Sequence, residues 1–158
     1  MKNMLYKAKG ALALTLAVSI CGAQCVPVFA AEALSAAQQG VQLLVFPELS
    51  LTGYEPQLAA ELAVAPDSPV LQPVRDLARE LHMTTVVGMP IRLVDGGPVL
   101  IGALVLGADG SLAVYSKQHL HPGEERAFAA GRGGAPLAFA EHQIALAVCA
   151  DFSHASHV

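Results

Sequence analysis

The sequence predicts an α/β fold in which helices cover a mixed β-sheet. Residues 70–82 place apolar side chains along one face, a spacing that indicates an amphipathic helix. Short apolar runs at 41–46 and 84–87 are bounded by Gly and Pro, which is typical of buried strands. Residues 99–116 form a hairpin pattern around the turn sequence ADGS. Alternation of these elements favours helices layered on a sheet.

The predicted elements follow one another as helix, strand, helix, strand, hairpin, loop and strand. The first helix ends at Gly40, the first strand stops at Pro47, and Gly88 with Pro90 closes the second strand. A long loop covers residues 119–136. The predicted helices span 31–39 and 70–82, and the predicted strands span 41–46, 84–87, 99–106, 112–116 and 144–148.

Composition limits the classes of function. Of the 158 residues, 54% are hydrophobic and 14% are charged, so the chain is able to form a buried core. The formal net charge is −4, and no basic patch indicates a nucleic-acid partner. This balance favours a small uncharged substrate over a polyanion.

Residues 1–30 resemble a secretory signal peptide, and residues 31–158 form the predicted domain. Three lysines at the start precede an uncharged, mostly apolar stretch, and Pro27 predicts a helix break before a cleavage site at Ala30. The apolar core is short for a stable membrane span, which needs about 20 residues. Two alternatives are an uncleaved anchor and a displaced start joined to a cytoplasmic domain.

Three residues stand where catalytic groups are expected. Cys149 directly follows a predicted strand, as a nucleophile does at a strand-end turn, although a lone Cys is more often a core residue. Glu48 also follows a strand and is a candidate general base, or an ordinary loop residue. Lys117 is the sole Lys after Lys9; its ammonium would stabilise an oxyanion or a thiolate, unless it is a solvated surface residue.

Four segments together resemble the nitrilase superfamily of carbon–nitrogen hydrolases. They are LLVFPELSLTGY at 43–54, YSKQHL at 115–120, EERAFAAG at 124–131 and AVCAD at 147–151. The resemblance implies that Glu48 is the general base, Lys117 the catalytic lysine and Cys149 the nucleophile. It places the second, substrate-orienting glutamate at Glu124, with Glu125 as the alternative if the register shifts by one.

The resemblance implies hydrolysis of a small amide or nitrile through a thioester on Cys149, without a metal or organic cofactor. It also implies the family's α-β-β-α sandwich, of which this chain would supply a part, with the second half missing. Homo-oligomers are common among such proteins, and most work in the cytoplasm, whereas residues 1–30 suggest export. Transfer of the acyl group to an amine instead of water is a further alternative.

Other functions also have to be weighed. Because the matched part is incomplete, the alternative is a truncated, non-catalytic fragment or binding module, and we expect weak stability and weak activity of this chain alone. A Cys–His hydrolase would draw its base from the histidines at 119, 121, 142, 154 and 157. A metal site at His154 and His157, with Asp151, has a permissible spacing but lacks a second ligand cluster.

Overall fold

The computed structural model describes residues 25–157, with side chains from residue 28. Three α-helices and six strands alternate along this part of the chain, joined by turns and short 3-10 helices. The helices are α1 (Cys25–Gln38), α2 (Ala59–Leu62) and α3 (Gln72–Glu80). The strands are β1 (Leu43–Val45), β2 (Thr84–Ile91), β3 (Leu100–Leu106), β4 (Leu112–Ser116), β5 (Leu137–Phe139) and β6 (His142–Ile144).

The central sheet is mixed, as the sequence predicts. Its strand order is β1-β2-β3-β4, with β1 parallel to β2 and the other neighbours antiparallel. The β3–β4 hairpin closes around the predicted turn, where the Ser111 amide donates to Oδ1 of Asp109 at 2.9 Å. A separate antiparallel pair joins β5 to β6. The predicted α/β class with a mixed sheet is therefore confirmed.

Both faces of the sheet are covered, which explains why β2 and β3 are apolar without alternation. On one face, α1, α3 and the 3-10 turn before α3 pack against alternate residues of the sheet through Phe29, Leu71, Val74 and Ala78. The opposite face, with Val86, Ala103, Val105 and Tyr115 at its centre, lies under the C-terminal segment. Within residues 25–157, no helix has both the length and the apolar composition that crossing a membrane requires.

The start of α1 differs from the prediction. Most of the signal-like segment 1–30 lies outside the described residues, but α1 already begins at Cys25 and continues through Ala30. The helix break predicted at Pro27 is wrong, because α1 runs through Pro27 to Gln38. Phe29 is buried and its ring centroid lies 4.7 Å from that of Phe46.

Strand β2 is longer than predicted and runs through Gly88 and Pro90 to Ile91. The backbone groups of Gly88 point away from β3, since they bond to Leu51 and Ser50. Pro90 lies two residues after Gly88, so its nitrogen also faces away from β3. Its missing N–H therefore removes no hydrogen bond to β3.

The strand predicted at 144–148 is wrong except at Ile144, which is the last residue of β6. Residues 145–148 belong to no strand among the described residues. Leu146 and Val148 pack on the sheet, whereas Ala145 and Ala147 face outward. The apolar run therefore indicated packing on the sheet, but it could not show that these residues pair with no strand.

Candidate active site

Glu48 lies in a tight turn after β1, and β2 fixes the position of this turn. The Leu51 amide donates to the Gly88 carbonyl at 3.0 Å, and the Gly88 amide donates to Oγ of Ser50 at 3.1 Å. Leu49 adopts a left-handed conformation with φ 54°. A Cβ on Gly88 would lie 2.4 Å from the Leu49 nitrogen, so this close approach requires glycine.

Lys117 is the first residue after β4, and its backbone is held on both sides. Its amide donates to the Ile101 carbonyl at 2.9 Å, and its carbonyl accepts from the Gly131 amide at 2.6 Å. Its side chain is 0% exposed. A buried ammonium is stable only when it is paired and hydrogen-bonded.

Two carboxylates provide this pairing. Nζ of Lys117 donates to Oε1 of Glu48 at 2.7 Å, and to Oε1 and Oε2 of Glu124 at 3.0 and 2.8 Å. Burial lowers the pKa of Lys117, but the hydrogen bonds and charges of Glu124 and Glu48 outweigh it and raise this pKa above its usual value. Lys117 therefore carries a positive charge at neutral pH.

Glu124 is held in place by two further donors. The His121 amide donates to its Oε2 at 2.8 Å, and the Tyr54 hydroxyl donates to its Oε1 at 3.2 Å. The neighbouring Glu125 is exposed, and backbone hydrogen bonds lower its pKa. Of the two glutamates that the sequence offers, Glu124 is the one that faces Lys117.

Cys149 opens the 3-10 helix Cys149–Ser153 in a strained conformation. Its φ of 51° is left-handed, which is uncommon for a residue with a side chain. The thiol is free and exposed. In the described residues, the hydrogen-bonded group comprises Lys117 and the two glutamates and does not include this thiol.

One small hydrophobic cluster nevertheless joins all four segments of the candidate site. We call it the site cluster, and it consists of Leu49, Ala59, Ile101 and Phe128, with Leu120 and Val148 packed against it. Leu49 and Val148 are direct neighbours of Glu48 and Cys149, and Ile101 binds the Lys117 amide. Packing around this cluster brings residues that are far apart in sequence to one end of the sheet.

Asp151 forms a second connection, between the Cys149 turn and the Lys117 segment. Its Oδ1 accepts the backbone amides of Gln118 and His119 at 3.0 and 2.7 Å. These two residues directly follow Lys117, and Asp151 comes two residues after Cys149. The turn that begins at Cys149 is therefore tied, through Asp151, to the residues that directly follow Lys117.

Comparison with known proteins identifies the family. The sequence matches the carbon–nitrogen hydrolase family over residues 7–154. This chain belongs to the carbon–nitrogen hydrolase family. The resemblance drawn from the four sequence segments is confirmed at this level, and so is the partial sandwich fold, since structures of amidases from the family are similar to it.

Individual relatives agree with this assignment. An aliphatic nitrilase from Rhodococcus rhodochrous is 34% identical over 102 residues, covering 55% of this chain and 27% of the nitrilase. The amidase from Nesterenkonia sp. AN1, in a structure with butyramide, is 29% identical with a TM-score of 0.71, covering 84% of this chain and 52% of the amidase. A CN-hydrolase superfamily protein from Xanthomonas campestris shares the fold, with 24% identity, a TM-score of 0.65, and coverage of 80% and 49%.

The chain spans about half the length of the solved relatives that it matches, and about a quarter of the nitrilase. The four matched segments all lie within this shared part. The family assignment therefore rests on the region that contains Glu48, Lys117, Glu124 and Cys149.

Two residues of the candidate site received no catalytic or positioning role in the sequence analysis, where Asp151 entered only as a metal ligand. Tyr54 contacts Glu124 from 70 positions away, and Asp151 contacts Gln118 from 33 positions away. Burial, and then the charge of Glu124, raise the pKa of Tyr54, so its hydroxyl remains a donor at neutral pH. In the sequence, the only indication for Tyr54 and Asp151 was their position: each lies within six residues of a candidate catalytic residue.

The histidines form a network of their own. The structure brings ligand atoms of His119, Asp151 and His157 within 4.8 Å of one another, whereas His154 stacks on His119 with ring centroids 4.1 Å apart. The metal alternative consisted of His154 and His157 with Asp151; in the structure, His119 takes the place of His154 in this group. Hydrogen bonds already fill the carboxylate of Asp151, which favours a structural network over a metal centre.

Proposed function

We propose that this chain carries the catalytic machinery for hydrolysis of non-peptide carbon–nitrogen bonds in a small amide or nitrile. Cys149 is the nucleophile, Glu48 the general base, Lys117 the source of positive charge and Glu124 the group that orients Lys117 and the substrate. The observation that carries the proposal is the contact of one fully buried ammonium with two carboxylates, beside a turn that exposes a thiol.

The environment of each group supports its proposed role. Lys117 stays protonated, so it stabilises negative charge on the substrate oxygen or nitrogen and does not remove a proton. Glu48 is the more accessible carboxylate, with 18% of its side chain exposed against 2% for Glu124. We therefore assign proton transfer with the thiol and water to Glu48, and the orientation of Lys117 to Glu124.

For an amide, the proposed reaction proceeds in two stages. Glu48 accepts the thiol proton as the sulfur of Cys149 bonds to the carbonyl carbon, and the negative charge on oxygen is stabilised by Lys117. The carbon–nitrogen bond then breaks, and the proton passes from Glu48 to the departing ammonia. Water next gives a proton to Glu48 and attacks the thioester, which releases the acid and returns the proton to the sulfur.

The choice of probe molecules comes from the relatives. One mutant of the Nesterenkonia amidase is described with butyramide, and a second mutant with acrylamide added at the active-site cysteine. Both molecules are small and uncharged, in agreement with the composition of this chain. In acrylamide addition the sulfur bonds to the β-carbon and the thiol proton moves to the α-carbon, so the adduct reports on the reactivity of the thiol without cleavage of the carbon–nitrogen bond.

The test is site-resolved labelling of Cys149 by acrylamide, together with release of ammonia from butyramide. Tryptic cleavage after Arg132 gives peptide 133–158, which contains Cys149 but neither Cys21 nor Cys25. We expect Glu48→Gln to slow labelling and Cys149→Ala to abolish both signals. Glu125→Gln serves as the matched control, because Glu125 is an exposed neighbour of Glu124 and should label at the wild-type rate.

The outcomes separate the alternative functions. Labelling that is equally slow in wild type and Glu48→Gln would mean a non-catalytic fragment or binding module. Fast labelling without release of ammonia would indicate an acyltransferase, provided that ammonia is released once hydroxylamine is added as an acyl acceptor. Dependence of both signals on Glu48 and Cys149 supports the hydrolase.

A further inference from the structure

The carboxylate of Asp151 is the most heavily engaged polar group near the candidate site. Asp151 is 0% exposed. Its Oδ1 accepts the amides of Gln118 and His119 and lies 3.0 Å from Nδ1 of His119. Its Oδ2 accepts the Tyr115 hydroxyl at 2.6 Å and the Val148 amide at 3.1 Å. Five contacts thus converge on one buried side chain.

Two of these contacts act on the conformation of Cys149. The Val148 amide donates to Oδ2 of Asp151, and the Asp151 amide donates back to the Val148 carbonyl at 3.1 Å. This pair of bonds closes the turn around Cys149 and encloses its left-handed residue. A left-handed residue with a side chain is strained and persists only where its surroundings enforce it.

The other backbone contacts act on the distance between two segments. Gln118 and His119 follow Lys117, whose own backbone is fixed by Ile101 and Gly131. Because Asp151 binds both amides, the Cys149 turn cannot move relative to Lys117 without breaking charge-assisted hydrogen bonds. Such bonds are roughly twice as strong as those between neutral groups.

We propose that Asp151 is a positioning residue for the hydrolysis of carbon–nitrogen bonds. It holds Cys149 in its left-handed conformation and sets the position of the thiol relative to Lys117 and Glu48. This role rests on the proposed function, because it concerns the same nucleophile. Asp151 touches no reacting atom and acts only through the backbone of the two segments.

Hydrogen bonds from Tyr115, His119 and Val148 also lower the pKa of Asp151, although burial alone would raise it. The carboxylate is therefore ionised at neutral pH, as charge-assisted bonds require. An amide in its place would keep one acceptor oxygen and lose the other, so Asp151→Asn should loosen the turn while preserving side-chain volume.

Tyr115 provides a matched control for a merely structural role. Tyr115→Phe removes a hydrogen bond to the same carboxylate but leaves its bonds to Val148, Gln118 and His119 intact. Both variants should lower the melting temperature. If Asp151 positions the thiol, only Asp151→Asn should also change the reactivity of Cys149 in the folded protein.

The experiment measures acrylamide labelling of peptide 133–158 in the full chain, below the melting transition of every variant. We expect Asp151→Asn to slow labelling about tenfold or more, since a displacement of 1 Å can cost up to about 100-fold. Tyr115→Phe should stay within about twofold of wild type. Asp151→Glu, which keeps the charge but displaces the carboxylate by one methylene, should be as slow as Asp151→Asn.

A double-mutant cycle with Glu48→Gln gives the decisive readout. If Asp151 positions the thiol against Glu48, Glu48→Gln should have a smaller effect in the Asp151→Asn background than in wild type. Additive effects, or equal labelling of Asp151→Asn and Tyr115→Phe, would overturn the positioning role. If Glu48→Gln alone has no effect in wild type, the proposed function itself fails.

Discussion

Replacement of Gly88 by alanine is expected to displace the Glu48 turn. The new Cβ would lie 2.4 Å from the Leu49 nitrogen, 2.8 Å from the Pro47 oxygen and 3.0 Å from the Glu48 carbonyl carbon. All three atoms belong to the backbone and cannot rotate away. Ordinary contact begins at 3.4 Å, so relief of the shortest contact from 2.4 Å requires a shift of about 1 Å.

A shift of this size affects both stability and reactivity. Overpacking of a folded core costs about 1–3 kcal/mol, and each kcal/mol lowers the melting temperature of a domain of this size by roughly 2–4 °C. The same shift would disrupt the 2.7 Å contact between Glu48 and Lys117. Because misplacement of a catalytic group by 1 Å can cost up to about 100-fold in rate, Gly88→Ala should also slow acrylamide labelling of Cys149.

Gly102→Ala is the matched control. Gly102 lies opposite Met89 in the same sheet, and a Cβ there would meet the Ile91 side chain at 2.6 Å instead of backbone. It should lower the melting temperature, measured by circular dichroism, and leave labelling near the wild-type rate. Equal labelling rates for folded Gly88→Ala and Gly102→Ala would refute the reasoning, as would a melting temperature of Gly88→Ala identical to that of wild type.

Three further predictions follow from the buried charges. Glu124→Ala removes one of the two carboxylate partners of the buried Lys117 ammonium, so the free energy of unfolding measured in urea should fall by about 3–5 kcal/mol. Glu125→Ala should change it by less than about 0.5 kcal/mol. Similar losses for both variants would contradict this prediction. Tyr54→Phe removes the hydrogen bond to Glu124 from a residue that is 55% exposed, so the free energy of unfolding should fall by less than about 1.5 kcal/mol. A larger decrease would mean that Tyr54 has a wider structural role. Because the pKa of Asp151 is held below its usual 3.8, the stabilisation by its carboxylate is present above about pH 4 and is lost as the pH falls through the lowered value. Urea titrations at several pH values should therefore show that the difference in free energy of unfolding between wild type and Asp151→Asn becomes smaller in acid. A constant difference would show that the ionised carboxylate is not the source of the stabilisation.

The layered core of the fold could be predicted from sequence because the relevant signals are local. The turn at 108–111 defined the β3–β4 hairpin, and the spacing of apolar residues defined α3 to within two residues at each end. The wrong predictions of strand boundaries arose because these boundaries depend on contacts between segments that are distant in sequence. Pro90 continues β2 because its nitrogen faces away from β3, and residues 145–148 lack a ladder because pairing depends on a neighbouring strand.

The candidate site divides in the same way. Local position suggested Glu48 and Cys149, since each lies just after an apolar run, and family resemblance added Glu124. No local pattern could show that Glu48 reaches Lys117 across 69 positions, or that Gly88 must be glycine to let the Glu48 turn approach. The geometry that joins these residues comes from packing around the site cluster and from Asp151.

The pairing of one ammonium with two carboxylates also has a consequence for product release. When both carboxyl groups are ionised, Glu48, Glu124 and Lys117 carry a formal charge of −1 together. A neutral amide experiences little repulsion from this group, but the carboxylate that hydrolysis produces carries a charge of the same sign. At 4 Å and an effective dielectric constant of 20, two such charges repel by about 4 kcal/mol. In the proposed reaction, the residues that activate the thiol would therefore also repel the acid, so that hydrolysis itself would favour release of the product.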